Sequence, residues 1–204
     1  MVSTAPATRR VTMADLPRLT RMLADAYHDD PVSIWACRSS ALRSTMLERL
    51  YRARLRQMLV HREIWATAEL SSAAVWVPPG ARGPTFAQNA ALIHCFLHPR
   101  LTTRLPLLAA GMAGIKRKHP RTPPHWYLSL LGTDPEARGR GLGSAVLQPV
   151  LERSDAERVG VYLESSKEAN IGFYARLGFR VTRELRLPRG PRMWAMWREP
   201  VDGR

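Results

Sequence analysis

Trp126-Tyr127-Leu128-Ser129-Leu130-Leu131-Gly132-Thr133-Asp134-Pro135-Glu136-Ala137-Arg138-Gly139-Arg140-Gly141-Leu142-Gly143-Ser144 carries the decisive reading of this 204-residue chain. Its first six residues are apolar and aromatic enough for a buried strand, which Gly132-Thr133-Asp134-Pro135 ends. A glycine-rich turn follows, and residues 144–153 read as a helix. A turn between a buried strand and a helix aims free backbone N–H groups and a positive dipole end at an anion. The glycines lack Cβ atoms, so the backbone reaches φ above zero and approaches phosphate oxygens closely. Arg138 and Arg140 add charge-assisted donors. The spacing is G-x-G-x-G, neither the G-x-G-x-x-G of dinucleotide folds nor the Gly-Lys-Ser/Thr ending of a P-loop, which weakens both of those readings. A structural turn decorated with arginines is the alternative that the turn alone leaves open.

Working outward, residues 1–8 read as a frayed tail and residues 9–12 as a short strand. Asp15 opens a helix to about Tyr27, which Asp29-Asp30-Pro31 stops. Leu42, Met46, Leu47, Leu50, Leu55 and Leu59 recur at helical spacing, predicting a longer helix over 41–60. Residues 63–70 and 73–77 read as two strands across Ser71-Ser72, ended by Pro78-Pro79-Gly80. Residues 84–118 read as further helix, broken near His98-Pro99, with Pro120, Pro123 and Pro124 in a stiff linker after it. Beyond the turn come a strand at 161–164, a helix at 170–177 and strands at 179–185 and 193–197.

Hydrophobic residues make up 45% and charged residues 24%, the composition of a globular chain, and the length fits one domain with a real core. The net charge is +14, and the only lysines are Lys116, Lys118 and Lys167, so the excess is arginine. A field of that sign attracts anions, polyphosphate cofactors and nucleic acid alike. No apolar stretch is long enough to span a bilayer, and the first thirty residues carry charges in place of a signal-peptide core. The expectation is therefore a cytoplasmic protein with no membrane partner. Cys37 and Cys95 are too few for a disulfide framework. His94, Cys95 and His98 sit within about one helical turn, but two or three ligands without a fourth do not make a metal site, and none is expected.

A second motif changes the weight of the turn. Asn170-Ile171-Gly172-Phe173-Tyr174-Ala175-Arg176-Leu177-Gly178-Phe179 follows it at a set distance, and the two together resemble the GNAT superfamily of N-acetyltransferases. That superfamily shows a strand, an xPxx(Q/R)GxG turn, a helix and then an N…(F/Y)Y…GF segment. Within it, residues 126–200 look most like the puromycin N-acetyltransferases and their actinobacterial relatives. The shared stretches are Gly141-Leu142-Gly143-Ser144-Ala145-Val146, Leu163-Glu164-Ser165-Ser166 and Gly190-Pro191-Arg192-Met193-Trp194-Ala195-Met196. The first 125 residues match only loosely, so the resemblance transfers the reaction better than the substrate. It implies an α/β fold with a mixed, mostly antiparallel central sheet, splayed at its middle and flanked by helices. Residues 1–204 would form one domain, with 84–124 a helical insertion and linker and 126–180 the acetyl-CoA-binding core.

The resemblance also implies roles. Leu131 and Thr133 would contact the pantetheine arm, with the Leu131 amide donating to the thioester oxygen. One such donor is typically worth about 3–4 kcal/mol. Arg138, Gly139, Arg140, Gly141, Gly143 and Ser144 would hold the pyrophosphate. Asn170 would hydrogen-bond the pantetheine, a role compatible with a plain N-cap. Tyr174 would return a proton to the departing thiol, simple packing beside Phe173 and Phe179 being the alternative. Glu164 is the candidate proton acceptor for the incoming amine, unless it only caps a helix or pairs with an arginine. Tyr27, Asp30 and Trp35, with Asp29, would lie over the acceptor site and suit a cationic amine attached to a flat group. The expected reaction moves acetyl from acetyl-CoA to a primary amine by direct attack, with no acetyl-enzyme. A small aminoacyl-nucleoside-like antibiotic is the specific expectation for the acceptor. An aminoacyl-tRNA or protein amine is the alternative, and a non-catalytic CoA-binding sensor is the rival of another class. RNA is the less favoured partner, because Arg52, Arg54, Arg56 and Lys116-Arg117-Lys118-His119 read first as solvated faces. A monomer or homodimer is expected.

Overall fold

The computed structural model describes residues 6–81, 98 and 102–201. Near its start, the Asp15 carboxylate accepts from both the backbone N–H and the hydroxyl of Thr12 and pairs with Arg9 at 2.7 Å. This cap launches a 3-10 turn, Met13–Asp15, and then α1, Leu16–Ala26, whose Leu16, Leu19, Met22, Leu23 and Ala26 face the core at helical spacing. The expected stop at Asp30-Pro31 is also a start. Asp30 accepts from Val32 N and Ser33 N, and Pro31 occupies the first turn of a short helix α2, Pro31–Ala36, that the sequence reading did not anticipate. Helix α3, Ser40–Met58, follows.

Among the described residues, seven strands form one sheet. They are β1 (Thr8–Arg10), β2 (Ile64–Thr67), β3 (Ser72–Val77), β4 (Trp126–Thr133), β5 (Val161–Ser165), β6 (Arg180–Arg186) and β7 (Arg192–Arg198), in the order β1-β2-β3-β4-β5-β7-β6. Every neighbouring pair is antiparallel except β4 and β5. That parallel pair needs a crossover, supplied by α5, Leu142–Ala156. Helices α4 (Leu105–Lys118) and α6 (Ile171–Arg176) complete the set used below. Two boundaries differ from expectation. Thr8 belongs to β1, paired with Thr67, and not to a tail, and the β2–β3 turn spans four residues with Leu70 at φ 56°. Of the helix expected over 84–118, α4 is described; residues 84–97 and 99–101, with His94 and Cys95, lie outside the described residues.

Strand alternation divides the core. Ala73, Val75 and Tyr162 join Leu19, Leu23, Met46, Leu47 and Leu55 on the face covered by α1 and α3. Ala74, Trp76, Trp126, Leu128, Val161 and Leu163 join Val146, Leu147, Val150 and Tyr174 on the face covered by α5 and α6. A buried lock braces that second layer. Arg198 of β7 donates to both carboxylate oxygens of Asp155 at 2.7 Å and to Leu177 O at 2.9 Å, tying the sheet to the ends of α5 and α6. Among the described residues, no helix is long and apolar enough to cross a membrane.

Candidate active site

The sheet opens where β4 and β5 part. The two strands pair from Trp126↔Val161 to Leu128↔Leu163, yet β4 runs on to Thr133 and β5 to Ser165. The break coincides with a bulge. Val75 opposes Leu130 and Trp76 opposes Leu128, so Ser129 is an extra residue in β4. Its insertion inverts the alternation: Tyr127 and Leu130 both pack on the α1–α3 face, whereas Leu128 and Leu131 both pack on the α5–α6 face. The sequence signal for this is weak, because an unbroken apolar run hides a change of face.

Past the bulge, the edge of β4 that would meet β5 presents the backbone of Leu131. Tyr27, just after α1, fills that place: its hydroxyl donates to Leu131 O at 3.0 Å and accepts from Leu131 N at 3.2 Å. Burial, reinforced by the charge of Asp30, pushes the Tyr27 phenol well above its ordinary range. The amide expected to face a thioester is thus engaged by Tyr27, so its use there requires that hydroxyl to turn away. Helix α1 comes close enough for this because β4 has glycine at 132, where a Cβ would meet Leu23 Cδ2 at 2.5 Å. Next to it, the Thr133 hydroxyl lies 2.9 Å from that of Ser72.

The glycine-rich turn leads directly into α5. Gly139 and Gly141 adopt φ of 78° and 75°, and a Cβ at either would meet nothing within 4 Å, so the space beside them is open for phosphate oxygens. Gly141 is the N-cap of α5, fifteen residues long, and Gly143 and Ser144 lie in its first turn. The arginines are anchored differently. Arg138 donates to Ala26 O, the last carbonyl of α1, at 3.1 Å, which ties the cradle to the helix bearing Tyr27. Arg140 is exposed and donates to Glu136 O of its own turn.

Tyr174, on α6, is 6% exposed and stands edge-on to Phe173 and Phe179, with ring centroids 5.1 and 5.7 Å away. Burial raises its pKa, and Tyr27 adds to the shift, so the phenol stays protonated at any working pH. Asn170, exposed just before α6, makes no side-chain cap.

Glu164 lies one residue past the last β4–β5 pair, on the opposite face of the sheet from Tyr174. Its side chain is 4% exposed and meets His119 Nδ1 at 3.3 Å. Tyr127 and Tyr162 flank it, and the phenol pKa values of both are raised, first by burial and then by the Glu164 charge. The Tyr162 hydroxyl is buried with no hydrogen-bond partner among the described residues. Arg54, reaching in from α3, touches Ser129 Oγ at 3.4 Å, and burial lowers its pKa. Sequence reasoning treated Arg54 and His119 as solvated charge and passed over Tyr127 and Tyr162 entirely. Only the fold brings α3, the end of α4, β4 and β5 to one place.

The other two residues expected over the acceptor are placed less directly. Asp30 is buried, with one oxygen capping α2 and the other accepting from Ser166, just after β5. Trp35 is buried against Leu187 and Gly190 at the β6–β7 turn, and its indole N–H donates to Pro188 O. Both hold α2 against the ends of β5 and β7, so of the three only Tyr27 faces the opening directly. No group of three metal-ligating side chains occurs among the described residues.

Comparison with known proteins agrees with this geometry. The sequence profile of the acetyltransferase (GNAT) family matches residues 94–179. An uncharacterised N-acetyltransferase of Schizosaccharomyces pombe is 24% identical over 198 residues, covering 90% of this chain and 78% of the relative. A crystal structure from Corynebacterium glutamicum, described as histone acetyltransferase HPA2 and related acetyltransferase, superposes with a TM-score of 0.68 at 24% identity over 98% of this chain and 99% of that one. The polyamine N-acetyltransferase of Drosophila melanogaster, described as forming N-acetylagmatine, superposes with a TM-score of 0.58 at 18% identity, covering 95% and 99% of the two chains.

Proposed function

We propose that the chain is an acyltransferase of the GNAT type that moves acetyl from acetyl-CoA to a primary amine by direct attack. Acetyl-CoA supplies an acyl group activated as a thioester. The open space at Gly139 and Gly141 and the N-terminus of α5 fit its pyrophosphate, and the unpaired edge of β4 from Leu131 to Thr133 fits its pantetheine. Leu131 N–H, once free of Tyr27, donates to the oxygen on which charge grows. Glu164 accepts the amine's proton on the α1–α3 face. Tyr174 donates to the leaving sulfur from the α5–α6 face, and the burial that raises its phenol also raises a thiol in the same pocket.

The observation that carries this reading is the opening itself. It leaves a carboxylate on one face and a phenol on the other, at a gap lined by unpaired strand backbone. We assign the acceptor to small molecules, with an aminoacyl-nucleoside antibiotic of the puromycin type favoured by the likeness of residues 126–200. A second acceptor class, flexible cationic amines such as agmatine, is favoured by Glu164 standing between two tyrosine rings. The test is thiol release from acetyl-CoA with puromycin, agmatine, spermidine and an aminoacyl-tRNA, with mass spectrometry of each product. Acetylated puromycin supports the first class and acetylated agmatine the second. Product only with aminoacyl-tRNA rejects the small-molecule assignment, and tight acetyl-CoA binding without any product rejects the catalytic reading in favour of a sensor.

A further inference from the structure

Glu164 does not end in a dead pocket. His119 Nδ1 faces its Oε1 at 3.3 Å, His119 Nε2 lies 3.3 Å from His125 Nε2, and His125 Nδ1 lies 2.9 Å from Pro123 O. The first ring is held in place. His119 stands edge-on to Tyr127 and to Tyr162, at 4.7 and 4.8 Å and near right angles, while His125 packs against Tyr162 and Trp197. Exposure rises along the row, from 4% for the Glu164 side chain to 29% for that of His119. His119 ends α4 and His125 precedes β4, so the linker between them closes the row.

Counting hydrogens along the row gives a definite result. A carbonyl only accepts, so His125 Nδ1 carries a hydrogen toward Pro123 O, and in a neutral ring its Nε2 then bears a lone pair. His119 must therefore donate from Nε2, which leaves Nδ1 bare in a neutral ring and facing a carboxylate oxygen. Turning the tautomer of His119 only moves the lone-pair conflict to the His119–His125 contact. All three contacts are satisfied only when the row holds one proton beyond neutral rings and an ionised carboxylate, whether it sits on Glu164 or on an imidazole.

We propose that Glu164, His119 and His125 form one proton-sharing unit that takes the proton of the acceptor amine and passes it to solvent, an inference that rests on the acetyl-transfer reading. The resident proton leaves first: it moves from Glu164 Oε1 to His119 Nδ1 as the Nε2 hydrogen of His119 moves to His125, and His125 releases one proton to water. An N–H bond of the amine then breaks as an O–H bond forms on the ionised Glu164, so the unit ends each cycle with the number of protons it began with. Glu164 touches the acceptor; His119 and His125 are relay residues that act through it. Other groups set the local field. Tyr127 of β4, Tyr162 of β5 and Arg54 of α3 lie against the row, Arg183 of β6 lies near Tyr162, and Lys116 and Lys118 occupy the same helix end as His119.

The decisive measurement is ¹⁵N NMR of the labelled histidine rings across pH on the full chain without ligand, comparing the native protein with Glu164→Gln and His125→Gln. Removing the carboxylate should change which ring nitrogen of His119 carries hydrogen, read from its two ¹⁵N shifts. His125→Gln should move those shifts as well. His119 ring shifts unmoved by either change overturn the proposal. A kinetic arm uses acetyl-CoA with agmatine and with puromycin. His119→Gln should lower kcat about tenfold or more, in the range of a lost general-base contribution, with KM for acetyl-CoA unchanged, and added imidazole should restore part of the rate. A rate restored by no small base contradicts a relay and leaves His119 a packing residue. Failure of both amines would reject the acetyl-transfer reading, while the ring titration would still decide whether the proton is shared.

Discussion

Replacing Gly132 with alanine tests how the fold builds the opening. The added Cβ would stand 2.5 Å from Leu23 Cδ2, 3.4 Å from Ala26 Cβ and 3.5 Å from the Tyr27 ring. Carbon atoms rest at about 3.5–4.0 Å, so the Leu23 contact is short by roughly 1 Å. Leu23 is fully buried in the core layer formed with α3. Overpacking of this kind costs about 1–3 kcal/mol, offset by about 0.4–1 kcal/mol because alanine restricts the unfolded chain. For a chain of this size each kcal/mol moves Tm by about 2–4 °C, so thermal unfolding should shift down by up to roughly 10 °C. Helix α1 must move off β4 to relieve the contact, and Tyr27 moves with it, so acetyl-CoA affinity should change too. The specific assay is a double-mutant cycle by urea unfolding. Leu23→Ala alone should cost about 2–5 kcal/mol. In that background Gly132→Ala should cost almost nothing, a coupling of about 1 kcal/mol or more. Equal costs in both backgrounds would refute the close approach of α1 to β4 as the reason for glycine at this position.

Three further outcomes follow from the same geometry. Tyr27→Phe removes the hydroxyl that occupies Leu131 N–H, and isothermal titration should show acetyl-CoA binding about fivefold tighter, the equivalent of roughly 1 kcal/mol; weaker binding would mean that the hydroxyl itself holds the coenzyme. Tyr174→Phe should lower kcat about 10²-fold with little change in acetyl-CoA affinity, and an unchanged rate would remove the phenol from the reaction. Asp155→Asn breaks the Arg198 lock and should cost about 3 kcal/mol at pH 7. Hydrogen bonding to Arg198 holds the Asp155 carboxyl below its ordinary range, so its stabilisation is present above about pH 4 and is lost as pH falls through the lower folded value. The asparagine variant should therefore lose less stability than the native chain between pH 5 and pH 3, about the range of carboxylate titration, and parallel losses in urea midpoints would contradict that linkage.

Much of this was legible in the residues. The turn at 138–143 was readable because its form depends on local properties, positive φ at Gly139 and Gly141 and a helix starting at once, and these follow from residue type within a few positions. Strand and helix periods were readable for the same reason, and the element boundaries moved by only a few residues. Helix α2 was missed because Asp-Pro is both a stop and an N-terminal cap, and six residues carry too little periodicity to distinguish the two. The bulge at Ser129 was hidden because extra residues are recognised by what lies opposite them.

What the sequence by itself determined was therefore the local chemistry: a glycine-rich turn opening a helix, a phenol on a helix, a carboxylate near a strand end and the mixed α/β order that holds them. What the tertiary structure decided was which distant side chains complete the site. Tyr27 meets Leu131 across 104 positions and His119 meets Glu164 across 45. Asp30 and Trp35, expected at the acceptor, hold α2 to the strand ends. Such partnerships depend on the bulge that parts β4 from β5 and on Gly132, which lets α1 approach. Neither a missing strand pair nor the space left by an absent Cβ is visible until the chain has closed on itself.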